Sequence, residues 1–399
     1  MNKVLIVTGQ FLPYTKSLGG ILRVLSFVKD IKKKNKVYLI ASKCTSNQKY
    51  GYLGIPKNDL KNVKINYIKN NNQKYFHSII NFKLFRNLFY LFGFDYALNL
   101  NQRYYKICCK IIKEEKINFL VISSPPFSLF YIVKRIKKKF NNIKIILDYR
   151  DGWSTRINNI MYFPIKTLVK SLIEKNIVSF ADFVITATSD INEKINKFTK
   201  KNPILIRNGF LFKPKINLKR KKINKIKIGY FGLISEDKYS YRNIGVIYDI
   251  MKKNKHLQNK FVFEFYGNNE IKKDEINNFG AFRFKKNLNF AKALHKMTEM
   301  DYLLILHTEA STAKEMMTSK FYDYLASTTP IINISAAKNE VGRIIKKHAI
   351  GYNINYKTND LEFFFKNLKK RKKIKWEKNF SLYSRDYQNK KLLEIINYE

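Results

Sequence analysis

Short apolar runs rich in β-branched residues alternate with longer amphipathic stretches along the chain, which predicts strands alternating with helices. In the first half the predicted strands are Val4–Thr8, Val37–Ala41, Val63–Ile68, Phe119–Ser123, Ile143–Asp148 and Phe183–Thr186. The predicted helices between them are Ile21–Lys34, Arg103–Lys116, Ser128–Phe140 and Ile165–Phe180. Continuous apolar strands separated by helices are typical of a parallel sheet that is covered on both faces.

The alternation restarts after residue 226 and predicts a second domain of the same kind. Its predicted strands are Ile226–Phe231, Phe261–Tyr266, Tyr302–Leu306 and Pro330–Ile334. The basic segment 212–225 contains Pro214 and has no apolar periodicity, so we interpret it as a linker. We therefore predict an α/β protein with two doubly wound, Rossmann-like domains, at residues 1–211 and 226–375.

The charge of the chain is strongly positive, with 77 Lys and Arg against 30 Asp and Glu, a net charge of +47. Only 13 of these cations are Arg, and the lysine runs are scattered without interleaved aromatic residues. Because Arg is the residue that binds phosphates and bases bidentately, this pattern argues against a nucleic-acid partner. Lysines near a surface are attracted to anionic lipids, so an anionic membrane surface is the partner that the charge favours.

The cysteines and the lengths of the apolar runs indicate the cellular compartment of the protein and whether it is anchored in a membrane. Cys44, Cys108 and Cys109 have neither metal-ligand spacing nor the even number of a disulfide framework, which favours the cytoplasm. No apolar run reaches about 18 residues, so no spanning helix is expected, and the apolar run Val4–Val7 is too short for a signal peptide. The aromatic-rich segment Phe76–Leu100 is a candidate for peripheral membrane contact, or a half-buried helix and loop.

Open parallel sheets bind ligands on the loops that follow the strands, and four such loops carry unusual residues. In the first, Gly19 and Gly20 open a helix, where backbone N–H groups can approach an anion; a flexible loop is the alternative. In the second, Arg150 and Asp151 follow a strand within Asp148–Trp153. Asp151 could hold an acceptor hydroxyl and Arg150 a phosphate, or the two could simply form an ion pair.

The third loop follows Gly229–Gly232 and contains the cations Lys238 and Arg242. A strand that ends in glycine and is followed by cations suits a phosphate, although a solvated loop is equally consistent with the pattern. Among the five histidines, His307 alone is expected near the fourth loop, because it ends a predicted strand of the second domain. No Asp-x-Asp pair and no Cys/His cluster occurs, so no metal site is predicted.

The fourth loop, Glu315–Pro330, is the most specific. Ser319, Lys320 and Asp323 share one face of a predicted helix, with Thr318 or Ser319 as its N-cap. A cation in the first turn opposes the helix dipole, so Lys320 is better explained if an anion also binds there. Glu315 and Asp323 could then hold hydroxyl groups on either side of a bound phosphate; a surface Lys–Asp pair is the simpler alternative.

These loops, in this order, resemble the GT-B glycosyltransferases, in particular the retaining family-four group that builds bacterial polysaccharides. The matching segments are PYTKSLGG (Pro13–Gly20), SSPPFS (Ser123–Ser128), LDYRDGW (Leu147–Trp153), RNGF (Arg207–Phe210), IGYFG (Ile228–Gly232) and SKFYDYLASTTPII (Ser319–Ile332). Glu315-x7-Asp323 looks like the paired-carboxylate motif of that family, with Asp323 in place of the more usual Glu. Leu233 stands where many members have a phosphate-binding Arg, so that role would pass to Arg242 or Lys238.

The resemblance implies the GT-B fold, two Rossmann-like domains facing a cleft, with the acceptor on the side of residues 1–211 and a helix at 376–399 packing back on that domain. It implies that residues 226–375 bind a nucleotide-diphosphate-sugar as substrate, without a cofactor. Asp323 would bind the ribose and Glu315 the sugar hydroxyls. Lys320 and the amides of Gly19 and Gly20 would hold the diphosphate, and the other donor-binding residues would be Gly232, Lys238, Arg242 and Ser319. Asp151 or Arg150 would face the acceptor and the reaction centre.

The activity implied is that of a retaining, metal-independent hexosyltransferase of bacterial surface polysaccharide synthesis. Its acceptor would be a glycan or a polyprenyl-diphosphate-linked sugar, met in the cytoplasm at the inner face of the membrane. Two alternatives stay open. A nucleotide-sugar epimerase of the same fold would break the same bond without an acceptor. A basic RNA-binding protein without catalysis would show a steep salt dependence of its RNA affinity.

Overall fold

A computed structural model describes most of the chain. The described residues are 1–15, 20–43, 57–69, 92–95, 97–154, 164–211, 224–237, 240–267, 269–308, 313–314, 317–370, 374–375 and 378–397. The chain divides into two compact units: Met1–Asn208 with Arg385–Glu399, and Gly209–Ser384. Most of the predicted linker and of the candidate membrane segment, at 212–223, 76–91 and 96, lies outside the described residues.

The first unit is built on a parallel sheet. Its described strands are β1 (Lys3–Gln10), β2 (Lys36–Ser42), β3 (Lys64–Ile68), β4 (Phe119–Ser124), β5 (Lys144–Tyr149), β6 (Phe183–Thr186) and β7 (Ile204–Leu205), in the order β3-β2-β1-β4-β5-β6-β7. The helices are α1 (Leu22–Ile31), α2 (Asn101–Glu115), α3 (Val133–Lys139), α4 (Pro164–Ser179) and α5 (Ser189–Thr199). The strand order reverses between β1 and β4, so their carboxyl ends mark the point where ligands bind in such sheets.

Burial explains why these segments form strands at these places. All six residues of the central strand β4 are buried, whereas the edge strand β3 alternates between exposed and half-buried side chains. The parallel central strands are covered by helices on both faces, which requires continuous apolar runs. The stretch Ser128–Phe140, predicted as one helix, is instead a 3-10 helix (Phe127–Ile132) followed by α3.

The second unit repeats this construction. Its main sheet contains β8 (Ile226–Phe231), β10 (Phe261–Tyr266), β12 (Phe282–Lys285), β13 (Tyr302–His307), β14 (Ile331–Ser335) and β15 (Gly351–Asn355), in the order β12-β10-β8-β13-β14-β15; β9 (Ile234–Ser235) pairs with β11 (Asn269–Glu270). The helices are α6 (Gly245–Lys253), α7 (Lys255–Lys260), α8 (Asp274–Asn277), α9 (Phe290–Thr298), α10 (Lys320–Ala326), α11 (Glu340–Lys347) and α12 (Thr358–Asn367).

The edge strands β12 and β15 were not predicted from the sequence, for a physical reason. Both alternate between more and less exposed side chains, because an edge strand is covered less completely than the centre of the sheet. Continuous apolar runs in the sequence mark the central strands β8, β10, β13 and β14, but β12 and β15 have no such runs. Each predicted strand is present in the structure.

The last helix, α13 (Arg385–Asn397), belongs to the first unit although the second unit precedes it in the chain. The Asn389 side-chain amide donates a hydrogen bond to Asp30 Oδ2 at 2.7 Å, and Lys391 Nζ donates to the Leu205 carbonyl at 3.0 Å. The α-helix begins later than the predicted start at 376, because residues Lys378–Tyr383 form a 3-10 helix in the second unit. No helix in the described ranges is long and apolar enough to cross a membrane.

Candidate functional site

A lysine of the second unit lies at the carboxyl end of β8. Lys320 is the first residue of α10, and its Nζ lies 3.8 Å from the centre of the Tyr230 ring. A Cβ atom added to Gly232 would lie 3.0 Å from the same Nζ. Gly232 has φ +134°, a backbone conformation that side chains rarely adopt. The strand therefore ends on a glycine that leaves room for the ammonium group.

Arg242 is the second cation at this place. Burial and the positive charge of Arg242 together lower the pKa of Lys320 well below its usual range. In the described part of the chain, neither side chain forms an ion pair with a carboxylate, so the alternative of a Lys320–Asp323 surface pair is not what the structure shows. We call Lys320 and Arg242 the cation pair. Two cations held together without a carboxylate create a positive potential suited to a phosphate or diphosphate.

Backbone and aromatic contacts hold α10 against the end of β8. The Phe231 N–H donates to the Tyr324 hydroxyl at 3.0 Å, and the Phe231 ring stacks on Tyr266 with centroids 4.8 Å apart. Ser319 occupies the N-cap position of the helix as predicted, but its side chain makes no capping hydrogen bond. Asp323 lies on the half-buried face of the same helix. Lys320 is therefore fixed by packing rather than by capping.

His307 ends β13, whose residues pair with β8 in parallel. The loop that carries Arg242 is fastened to this strand end, because the Thr308 N–H donates to the Tyr241 carbonyl at 3.0 Å. Burial above all, together with the positive charges of Lys320 and Arg242, lowers the pKa of His307 to about 3, although a hydrogen bond with the Asn333 side chain favours protonation. The imidazole next to the cation pair is therefore neutral at physiological pH.

The predicted loop of the first unit has a different character. The Arg150 guanidinium donates to the Gly20 and Pro125 carbonyls, so it joins the loop before α1 to the loop after β4. Asp151 is exposed and forms no ion pair with the described residues, Arg150 included. Trp153 stacks on Phe127 with centroids 5.4 Å apart and an interplanar angle of 1°. Arg150 thus connects the backbone of two loops, whereas the Asp151 carboxylate is exposed to solvent and pairs with no described cation.

Beneath this loop lies a buried ion pair that the sequence did not reveal. Arg23 of α1 pairs with Asp148 of β5 at 2.8 Å, and their side chains are 2% and 0% exposed. The Ser123 hydroxyl donates to Asp148 at 2.7 Å, and Arg23 Nη1 donates to the Ile206 carbonyl at 2.7 Å. Four segments far apart in the chain are therefore joined through this ion pair, Ser123 by way of Asp148 and Ile206 by way of Arg23.

No protein-family model matches the chain, and no curated protein matches its sequence. Solved structures do match across its whole length. The lipopolysaccharide outer core galactosyltransferase WaaB has a TM-score of 0.59 at 13% identity, with 100% of this chain and 99% of WaaB covered. An α,α-trehalose-phosphate synthase (UDP-forming) from Burkholderia vietnamiensis has a TM-score of 0.60 at 8% identity, with 100% and 97% covered.

The UDP-GlcNAc 2-epimerase from Methanocaldococcus jannaschii matches as well, with a TM-score of 0.54 at 9% identity and 100% of both chains covered. The fold follows from the two parallel α/β units together with the similarity to these three structures. The chain has the GT-B fold. At such low identity the likeness establishes the GT-B architecture, and the chemistry has to be argued from the residues.

Within this GT-B chain, the predicted site residues fall into three groups. Gly232 and Lys320 are neighbours at the strand ends of the second unit, Arg242 is near enough for its charge to act on Lys320, and Ser319 and Asp323 are the N-cap and a residue of the helix that begins at Lys320. Gly20, Arg150 and Asp151 lie in the first unit. The remaining three lie outside the described residues: Gly19, Lys238 and Glu315. Among the described residues, no group of three or more His, Cys, Asp or Glu side chains could hold a metal ion.

Proposed function

We propose that this GT-B chain is a glycosyltransferase that uses a nucleotide-diphosphate-sugar donor. The observation that carries the proposal is the cation pair, which is half-buried, adjacent to a neutral histidine and without a carboxylate partner among the described residues. Such a site is costly to maintain unless an anion occupies it. A diphosphate is the anion that the GT-B relatives' UDP-dependent names suggest.

The reaction would proceed by breaking the bond between the anomeric carbon and the diphosphate oxygen. The electron pair of that bond stays on the oxygen, so negative charge develops on the leaving diphosphate, where Lys320 and Arg242 stabilise it without a metal. An acceptor hydroxyl oxygen forms the new bond to the anomeric carbon, and its proton passes to the leaving diphosphate. The fixed positions of the two cations mean that little reorganisation is required during the step.

The finer assignments rest on the resemblance of the motifs. Asp323 would bind the ribose, Glu315 the sugar hydroxyls, and Gly19 with Gly20 the diphosphate from the first unit; Asp151 would face the acceptor. We propose a glycan or a polyprenyl-diphosphate-linked sugar as the acceptor, retention at the anomeric carbon, and a role in bacterial surface polysaccharide synthesis. Contact with the membrane surface follows from the charge of +47 and is tested by co-sedimentation with anionic vesicles at physiological salt.

Calorimetric titration tests the donor site directly. Wild-type protein and the Lys320→Ala and Asp323→Ala variants are titrated with UDP, GDP, ADP and CMP, with RNA as a control. We expect selective binding of one nucleotide, lost in Lys320→Ala and weakened in Asp323→Ala. Binding of none of the nucleotides, with salt-sensitive binding of RNA, would contradict the proposal.

The epimerase alternative is favoured by one finding, the match to a UDP-GlcNAc 2-epimerase over the full length of both chains. Turnover separates the two activities. An epimerase converts the nucleotide-sugar with no acceptor present and leaves the nucleotide attached, whereas a transferase releases the nucleoside diphosphate in proportion to acceptor glycosylated. For the transferase, we expect Lys320→Ala and Glu315→Ala each to abolish turnover while the protein remains folded.

A further inference from the structure

One buried carboxyl group of the first unit contacts the loop that carries Asp151. Residues 150–154 follow β5, and we call them the Asp151 loop. Glu174 belongs to α4 and has no exposed surface. Its Oε2 accepts a hydrogen bond from the Ser154 N–H at 3.1 Å. The last residue of the Asp151 loop is therefore attached to α4 through a single acidic side chain.

The same carboxyl group also interacts with the residue that precedes the loop. Tyr149 is the last residue of β5 and is fully buried. Burial, the charge of Glu174 and a hydrogen bond to Glu174 raise the pKa of Tyr149 well above its usual range. That hydrogen bond is a weak one, because neither Tyr149 Oη nor Glu174 Oε1 makes a hydrogen bond of normal geometry. The attachment at Ser154 is therefore the stronger of the two.

Other contacts hold the residues on both sides of Asp151. The Arg150 guanidinium donates to two backbone carbonyls, and the Trp153 indole N–H donates to the Gly93 carbonyl at 3.1 Å. Asp151 is exposed and lies between these attached residues. The position of its carboxylate therefore depends on how firmly the loop is held. The attachment of Ser154 is the one that a titratable acid makes.

A proton strengthens this attachment. A fully buried carboxylate loses its hydration, and one normal hydrogen bond does not replace it. Burial therefore raises the pKa of Glu174 to about 7, although hydrogen bonds from Ser154 and Tyr149 and the charge of Lys170 oppose the effect. When the loop opens and water reaches the carboxyl group, the pKa returns toward its ordinary value of 4.5. Between these values the closed loop binds a proton that the open loop releases, so the closed form becomes less favourable as the pH rises.

We propose that Glu174 is a positioning residue for the acceptor: its neutral carboxyl group holds Ser154 and thereby fixes the place at which the loop presents Asp151. The role of Asp151 rests on the proposed function, and Glu174 acts on it through the backbone of the loop. Because each pH unit between the two pKa values changes the equilibrium tenfold, the closed loop should become about 300-fold less favourable from pH 4.5 to pH 7. The position of Asp151 is then fixed more firmly in acid than at neutral pH.

Hydrogen exchange followed by mass spectrometry measures how often the loop opens. The protection factor of a peptide that contains residues 150–154 is compared with that of a peptide from β4, between pH 4.5 and pH 7.5. β4 is buried along its whole length and reports the opening of the sheet itself. The proteins are the wild type, Glu174→Gln and Glu174→Ala. Gln stays neutral and keeps an oxygen that can accept from the Ser154 N–H, whereas Ala has no acceptor.

We expect the loop peptide to be less protected than the β4 peptide in all three proteins, because the loop opens while the sheet stays intact. In the wild type its protection should fall by up to about 300-fold as the pH rises to 7. In Glu174→Gln the protection should stay at its value in acid, and in Glu174→Ala it should be low at every pH.

The same pH dependence in the wild type and Glu174→Gln would overturn the role of Glu174. Equal protection of the loop and β4 peptides in each protein would overturn it as well, since Glu174 would then contribute only to the stability of the whole unit. Titration of the wild type with UDP, GDP and ADP tests the proposed function separately. Absence of nucleotide binding would remove that function and the acceptor role of Asp151, while the exchange data would still decide whether Glu174 holds the loop.

Discussion

Replacement of Lys320 by methionine should stabilise the free protein and at the same time weaken its affinity for a nucleoside diphosphate. Methionine has a similar length but no charge, so it fills the same space over Tyr230 without an ammonium group. The expectation follows from the position of Lys320, which burial and Arg242 make unfavourable for a charged group in the absence of a ligand.

Two opposing contributions set the size of the effect. The cation–π contact of Lys320 with Tyr230, at 3.8 Å, is lost and contributes about 1–2 kcal/mol. Replacing buried charged groups by apolar groups of similar volume is often stabilising, by about 1–4 kcal/mol for an ion pair. The midpoints of the two ranges leave a net gain of about 1 kcal/mol, or about 2–4 °C in the unfolding temperature. Loss of a charge-assisted hydrogen bond should weaken nucleotide binding by about 10- to 150-fold.

The pH dependence provides a second, independent check. The pKa of Lys320 in the folded protein lies below the value of 10.5 that it has when unfolded, so the folded state binds fewer protons. Stability of the wild type therefore rises with pH between these two values. The advantage of the Met variant should be largest near neutral pH and should vanish above about pH 10.5. His307, with a pKa of about 3, is uncharged throughout this range.

The assay is thermal unfolding of the wild type and Lys320→Met across this pH range, together with calorimetric titration of UDP, GDP and ADP. Lys272→Met, at an exposed position of the same unit, controls for the general effect of removing a lysine. A lower unfolding temperature of Lys320→Met at neutral pH would refute the reasoning. So would a difference between the two proteins that does not change with pH.

Three further predictions concern particular structural features. Gly232→Ala should destabilise the protein by about 1–3 kcal/mol, because φ at this residue is +134°, and should weaken nucleotide binding, because the new methyl group would contact Lys320. Thermal unfolding measures the change in stability, and calorimetry measures the change in nucleotide affinity. Asp148→Asn should cost about 3–5 kcal/mol in urea unfolding, because it leaves the buried Arg23 without a counter-charge. Burial raises the pKa of Glu174 to about 7, against 4.5 in the unfolded chain. The stability of the wild type should therefore fall as the pH rises from 4.5 to 7. Glu174→Gln should remove this fall, which thermal unfolding measured at each pH would show.

Matched variants show whether these effects have the stated causes. Gly280→Ala, at a glycine where an added Cβ atom would have nothing within 4 Å, should change neither stability nor binding. Glu275→Gln breaks the exposed pair with Lys252 and should have little effect compared with Asp148→Asn. Equal effects of Gly232→Ala and Gly280→Ala, or of the two pair-breaking variants, would contradict the explanations. An unchanged pH profile in Glu174→Gln would show that another group causes the fall.

The regular part of the fold was predictable from local patterns. Central strands such as Phe119–Ser124 are buried on both faces and therefore read as uninterrupted apolar runs. The edge strand Gly351–Asn355 alternates in burial and was missed, because its character depends on having a neighbour on one side only. Gly232, Arg242 and Lys320 were predicted from their places after strands, since parallel strands bring such loops to one end of a sheet.

The sequence by itself determined the alternation of strands and helices, the two doubly wound α/β domains and the loops in which to look for a ligand, because these depend on periodicity and on residues close together in the chain. Tertiary structure alone decided which side chains meet. The Arg23–Asp148 ion pair joins residues 125 positions apart. The Asn339 side-chain nitrogen lies 3.2 Å from His307 Nδ1, although the two residues are 32 positions apart. Such contacts depend on strand order and helix packing, which no local pattern of polar and apolar residues encodes.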